Sequence, residues 1–172
     1  MSGVVHHLKH FPKSCILIGS LAGCSILSEE HDLSHPDYIK LGAEYIGYSE
    51  TEHRSDLRKF LKVDPVITEW CAAYVNAVLR DSEIPGSGTV SENPYMARSF
   101  MDLGYKVNTP EHGDIVVLKR GEPWEGHVGF YIDLKIIGGD VYYRILGGNQ
   151  NNEVSIKLFK ATEVVAVRRL AL

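Results

Sequence analysis

Cysteine is scarce in this chain, with three in 172 residues, so a disulfide-stapled scaffold is excluded. No apolar run approaches the roughly 20 residues that carry a helix across a bilayer. A basic excess is also missing: 18 Lys and Arg against 22 Asp and Glu give a net charge of -4. That removes the electrostatic footprint on which nucleic-acid binding depends. Internal repeats and low-complexity tracts are absent, and Glu125, His127 and His112 lack zinc-ligand spacing, so neither a metal nor another cofactor is expected. What remains is a hydrophobic fraction of 44% and a charged fraction of 23%, the balance of a globular protein with one core.

The first 28 residues carry Lys9 and Lys13 and no acidic residue before Glu29. The short apolar run from Ser14 to Cys24 then reads as the core of a signal peptide. Its end, Leu21-Ala22-Gly23-Cys24, resembles the bacterial lipobox, whose cysteine is lipidated and becomes the mature N-terminus. The expected organisation is a lipoprotein signal peptide over 1–24, a polar tether over 25–35 and one domain over 36–172. A short buried helix or strand is the plainer alternative for the apolar run. Processing at Cys24 would remove Cys15, tether the protein to a membrane through lipid, and leave Cys71 as the single thiol. The expected location is the periplasm or cell envelope, and the expected form is a monomer.

Helical patterns come first along the chain. Ser34, Pro36 and Asp37 signal a helix start, followed by Tyr38, Leu41 and Tyr45 at helical spacing up to Gly47. Leu57, Phe60 and Leu61 mark a second helix before Pro65, and the spacing predicts a third over 68–80 with Thr68 as N-cap. Asn93-Pro94 opens a fourth that ends at Gly104. Beyond it the pattern changes to five β-branched and aromatic runs, at 114–118, 127–133, 141–146, 154–158 and 164–169. Gly138-Gly139 fits a hairpin turn between two of them. Helices followed by an antiparallel meander make an α+β domain.

A thiol is a good nucleophile only as thiolate. With Thr68 as cap, Cys71 falls at N3, where free N–H groups favour an anion. A protonated imidazole beside it would lower its pKa further and then protonate a leaving amine. His127 is the candidate, because it opens a strand between Gly126 and Val128-Gly129-Phe130-Tyr131, where small residues permit close approach. An ordinary partly buried histidine is the competing reading. His6, His7, His10, His31 and His35 lie in the leader or tether, and His53 and His112 read as surface positions.

Four motifs occur in order: Thr68-Glu69-Trp70-Cys71-Ala72-Ala73-Tyr74-Val75-Asn76, Gly113-Asp114-Ile115-Val116-Val117, Gly126-His127-Val128-Gly129-Phe130-Tyr131 and Gly147-Gly148-Asn149-Gln150. Together they resemble the NlpC/P60 and CHAP superfamily of papain-like cysteine peptidases and amidases, and most of all its phage lysis proteins and bacterial cell-wall hydrolases. The resemblance runs from about Tyr38 to Arg169. It implies a papain-like fold, with N-terminal helices packed on a C-terminal antiparallel sheet of about five strands. It implies Cys71 as nucleophile, His127 as its partner, and Asn149 as the residue orienting the imidazole, with Gln150 in reserve. A turn residue chosen for its tolerance of a left-handed backbone is the alternative for Asn149. Trp70, Tyr74, Trp124 and Gln150 are the expected substrate contacts, although buried packing competes for the aromatic ones. Glu69 stands where related sequences often have proline, and is expected to point outward. Asp114 is expected to be structural.

The expected activity is cleavage of an amide bond in a peptidoglycan stem peptide or cross-bridge, as amidase or endopeptidase. The alternatives are a non-catalytic lipoprotein that binds wall peptide or protein on the same fold, and a thiol enzyme acting on proteins. If residues 1–24 are retained, a phage-encoded enzyme acting on the wall at lysis is the better picture.

Overall fold

The computed structural model describes residues 37–172. The readings over 1–24 and 25–35, the lipidation of Cys24 and the cap at Ser34 lie outside these described residues. Among them, helix α1 spans Asp37–Ala43, α2 Arg54–Leu61 and α3 Cys71–Asp81. A sheet follows, built of β1 Tyr105–Lys106, β2 Ile115–Lys119, β3 Gly126–Ile137, β4 Asp140–Gly147, β5 Ser155–Lys160 and β6 Val164–Arg169. Its order is β1-β6-β2-β3-β4-β5, and every pairing is antiparallel. The domain is therefore a mixed α+β arrangement, with helices first and a six-stranded antiparallel sheet after them.

The two sides of the sheet bury different residues because strand side chains alternate. From β2, Ile115 and Val117 join the core beneath α3, together with Val128 and Phe130 of β3 and Leu146 of β4. Val116 and Leu118 face the other way, into a smaller cluster with Tyr131, Ile145 and Val167. Helix α3 is buried along almost its whole length, from Cys71 through Leu79, which fits its small and β-branched residues to close packing on the sheet. The β3–β4 turn is made by Gly138 and Gly139, both at positive φ between the paired Ile137 and Asp140, the conformation that two-residue hairpins require.

Three expectations are corrected. Helix α3 starts at Cys71 with Trp70 as its N-cap, and no side chain caps it. Trp70 is fully buried and its Nε1 donates to Glu50 Oε2 at 3.1 Å, which holds the preceding backbone away from helical geometry and leaves Thr68 outside. The fourth helix is a 3-10 segment, Ala97–Asp102, because the stretch before it is committed elsewhere. Asn76 of α3 donates to Pro94 O at 2.8 Å and Ser87 Oγ at 3.1 Å, and accepts Ser87 N–H at 2.9 Å. The sixth strand, β1, is two exposed residues pairing with Arg169 and Arg168, too short to leave a periodic signal.

Candidate active site

Cys71 is the first residue of α3, so it occupies N1 rather than N3. Its side chain is buried, and the backbone N–H groups of Val128 and Ala72 favour the thiolate form of its sulfur. The Val128 N–H belongs to the peptide that joins His127 to Val128 in β3. Cys71 also lines a cleft of about 330 Å³ with Glu69, Tyr95, Met96, Arg120, Trp124 and Glu125. Trp124 is 62% exposed and Tyr95 51%, so both rings are held at the mouth without being used by the core. The Tyr95 wall stands where the Asn76 clamp puts it, and Arg98 Nε donates to Glu125 O at 3.0 Å, tying the Trp124 loop to the 3-10 segment.

His127 pairs with Leu118 across β2 and β3 and shares that residue's face of the sheet, where its ring stacks on Phe159 at 5.3 Å. It is 5% exposed. Among the hydrogen bonds of the described residues none joins the Cys71 sulfur to the His127 ring, which lies on the Leu118 and Phe159 side of the sheet while Cys71 belongs to the core on the α3 side. A space beside the ring exists because residue 147 is glycine: a Cβ there would lie 3.2 Å from His127 Nε2 and 3.4 Å from the Gln150 amide carbon. Gly148 does the same for α3, since a Cβ there would come within 2.6 Å of both Trp70 and Tyr74. The paired glycines thus let the β4–β5 turn close on the helix start and on the histidine together.

That turn reverses the two polar assignments. Asn149 has φ 56°, the left-handed backbone that asparagine tolerates, and its Nδ2 donates to Glu69 Oε2 at 2.8 Å, away from the imidazole. Gln150 is 3% exposed, and its Nε2 donates to the carbonyls of Ile145, Gly147 and Ser155. Its Oε1 and His127 Nε2 are both buried without a hydrogen-bond partner. The contact between the two side chains falls short of full hydrogen-bond geometry, yet Gln150 still favours the charged ring. Of the two amides, Gln150 is the one beside the His127 ring, and it lines the cleft on that side.

Trp70 and Tyr74 are corrected as well. Both are fully buried, and Tyr74 OH donates to Gly42 O at 2.8 Å, so they fix α3 in the core and do not line the cleft. Glu69 is exposed but does not point away from the site: its carboxylate meets Arg120 at 3.5 Å as well as Asn149. Arg120, Tyr95, Met96 and the inward role of Glu69 were missed from sequence. The signal for Arg120 was its place just beyond β2, in the connection to the strand that His127 opens.

Burial pushes the Cys71 thiol up and Glu69 pushes the same way, against the Val128 and Ala72 N–H groups and the Arg120 guanidinium. Burial pushes His127 down to about 4; Gln150 opposes this, and the charges of Arg120 and Lys157 add to it. At neutral pH the site therefore holds a neutral thiol and a neutral imidazole, where the sequence led us to expect an imidazolium stabilising a thiolate. Among the described residues no group of three or more His, Cys, Asp or Glu side chains could hold a metal ion, and no helix is long and apolar enough to cross a membrane.

No known protein family matches this chain, and no curated protein matches it significantly.

Proposed function

We propose that the protein is a papain-like thiol hydrolase that cleaves an amide bond in bacterial cell-wall peptide. The observation that carries this reading is a buried thiol at a helix start that lines an open, aromatic-rimmed cleft, next to the strand in which the buried His127 stands. The ordered motifs resembling wall hydrolases support the choice of substrate.

In this mechanism neutral His127 takes the Cys71 proton as the sulfur attacks the amide carbonyl, and the C–N bond breaks as the resulting imidazolium protonates the leaving amine. Water, activated by the same ring, hydrolyses the thioester and restores the thiol. Cys71 N–H, the first of the unpaired donors at the start of α3, stabilises the oxyanion. Gln150 holds the ring, and Trp124 and Tyr95 hold the substrate. We further propose a monomer tethered to the cell envelope through lipidated Cys24. Loss of membrane association in Cys24→Ser is the expected outcome of fractionation.

A second reading has one specific support: the neutral thiol and the missing sulfur–imidazole hydrogen bond also suit a non-catalytic binder of wall peptide. Digestion of purified peptidoglycan separates the two. The hydrolase releases equal numbers of new amino and carboxyl ends and no new reducing sugar. Binding without any new ends would leave the binder, and reducing ends would mean glycan cleavage instead.

A further inference from the structure

A second cleft, of about 370 Å³, lies beside His127, and its lining includes Lys119, Arg120, Gln150, Lys157 and Phe159. Its charge is one-sided: three cations face a single carboxylate, that of Glu163. Among the described residues neither Lys119 nor Lys157 is in a salt bridge. The Arg120 contact to Glu69 is a single one at 3.5 Å, with more than half of the arginine side chain exposed. At the inner end are the two buried, unpartnered atoms, His127 Nε2 and Gln150 Oε1. The Cys71 cleft has the opposite balance, with Glu69 and Glu125 against Arg120. Arg120 lines both.

We propose that the His127 cleft is a carboxylate subsite, in which Lys119, Arg120 and Lys157 read a carboxylate on the fragment released as the amine. This rests on the Cys71–His127 reading, because the leaving amine departs on the side of the group that protonates it. The opposite charge of the Cys71 cleft then fixes the direction in which an acidic peptide lies across the site. A second consequence is catalytic. Arg120 and Lys157 disfavour the imidazolium, and that cation must form as the sulfur attacks and gives its proton to the ring. A carboxylate bound between them offsets their charge at that step, so its contribution falls in the transition state as well as in binding.

Two measurements test the subsite and keep it separate from the hydrolase reading. The first needs no chemistry: full-length Cys71→Ala is titrated with N-acetylalanine and with N-acetylalaninamide, following the His127 ring by NMR. The acid is expected to bind about tenfold or more tightly than the amide, with the preference lost in Lys119→Gln/Lys157→Gln, kept in Lys157→Arg and weakened by salt. Equal binding, or none by the acid, overturns the proposal. The second compares kcat/KM for peptides that differ only in a free or amidated carboxyl on the leaving fragment; a ratio of about tenfold or more is expected, falling toward one in the double variant. Hydrolysis at equal rates overturns the subsite and spares the hydrolase. Selective binding of the acid with no hydrolysis of either peptide spares the subsite and overturns the hydrolase.

Discussion

The two ends of strand β2 carry buried polar groups of opposite character. At its start, Asp114 is 3% exposed and every partner is in place: Arg169 donates from Nε at 2.9 Å and Nη2 at 2.8 Å, and Glu111 N–H donates at 2.7 Å. Arg169 also meets Glu111 at 2.8 Å. At the far end, Leu118 pairs with His127, and there His127 Nε2 and Gln150 Oε1 are buried without partners. Native interiors rarely leave such atoms unpaired, and the exceptions gather where chemistry is done. One end of the strand is a completed ion pair, and the other leaves a buried imidazole nitrogen without a hydrogen-bond partner.

The sharpest way to break this comparison is to damage each end in turn. His127→Ala is expected to lower kcat by about 10²–10⁴-fold while moving the urea midpoint little. Acid probes the same residue without mutation. Its folded pKa is about 4 against an ordinary 6.5, so between those values the unfolded chain binds the extra proton. This stability is fully present above pH 6.5 and is lost as the pH falls toward 4, by up to about 3 kcal/mol. Denaturant titrations across that window should show the slope in wild type and a flatter one in His127→Ala. At the other end Asp114→Ala should cost about 2–3 kcal/mol, less than a fully buried pair because Arg169 is partly exposed, and spare the hydrolysis rate per folded molecule. The smallest effect is expected from Glu69→Gln. Removing a charge that pushes the thiol up should speed alkylation of Cys71 at mildly alkaline pH by about two- to threefold.

Much of the fold was legible because its periodicities are strong. The β6 run, Val164–Arg169, has the expected bounds, and the Gly138-Gly139 turn stands where the dipeptide put it. Element ends were less legible, since Thr68 is an acceptable cap until the buried Trp70 takes its hydrogen bond to Glu50. The site was half legible. Cys71 and His127 stand out by residue type and neighbours, whereas Asn149 and Gln150 are adjacent amides that only the turn can distinguish. The left-handed backbone at Asn149 sends its side chain to Glu69, and burial commits Gln150 to the carbonyls around His127. Trp70 and Tyr74 misled for a related reason: an aromatic residue beside a candidate nucleophile can face a cleft or a core, and the choice depends on where Gly148 lets the helix pack.

The central claim is that Cys71 is the nucleophile, and digestion of purified peptidoglycan by folded Cys71→Ala beside wild type tests it most directly. The expected result is loss of new amino ends by about 10³-fold or more with the fold intact by circular dichroism. Release of amino ends by Cys71→Ala at the wild-type rate would contradict it.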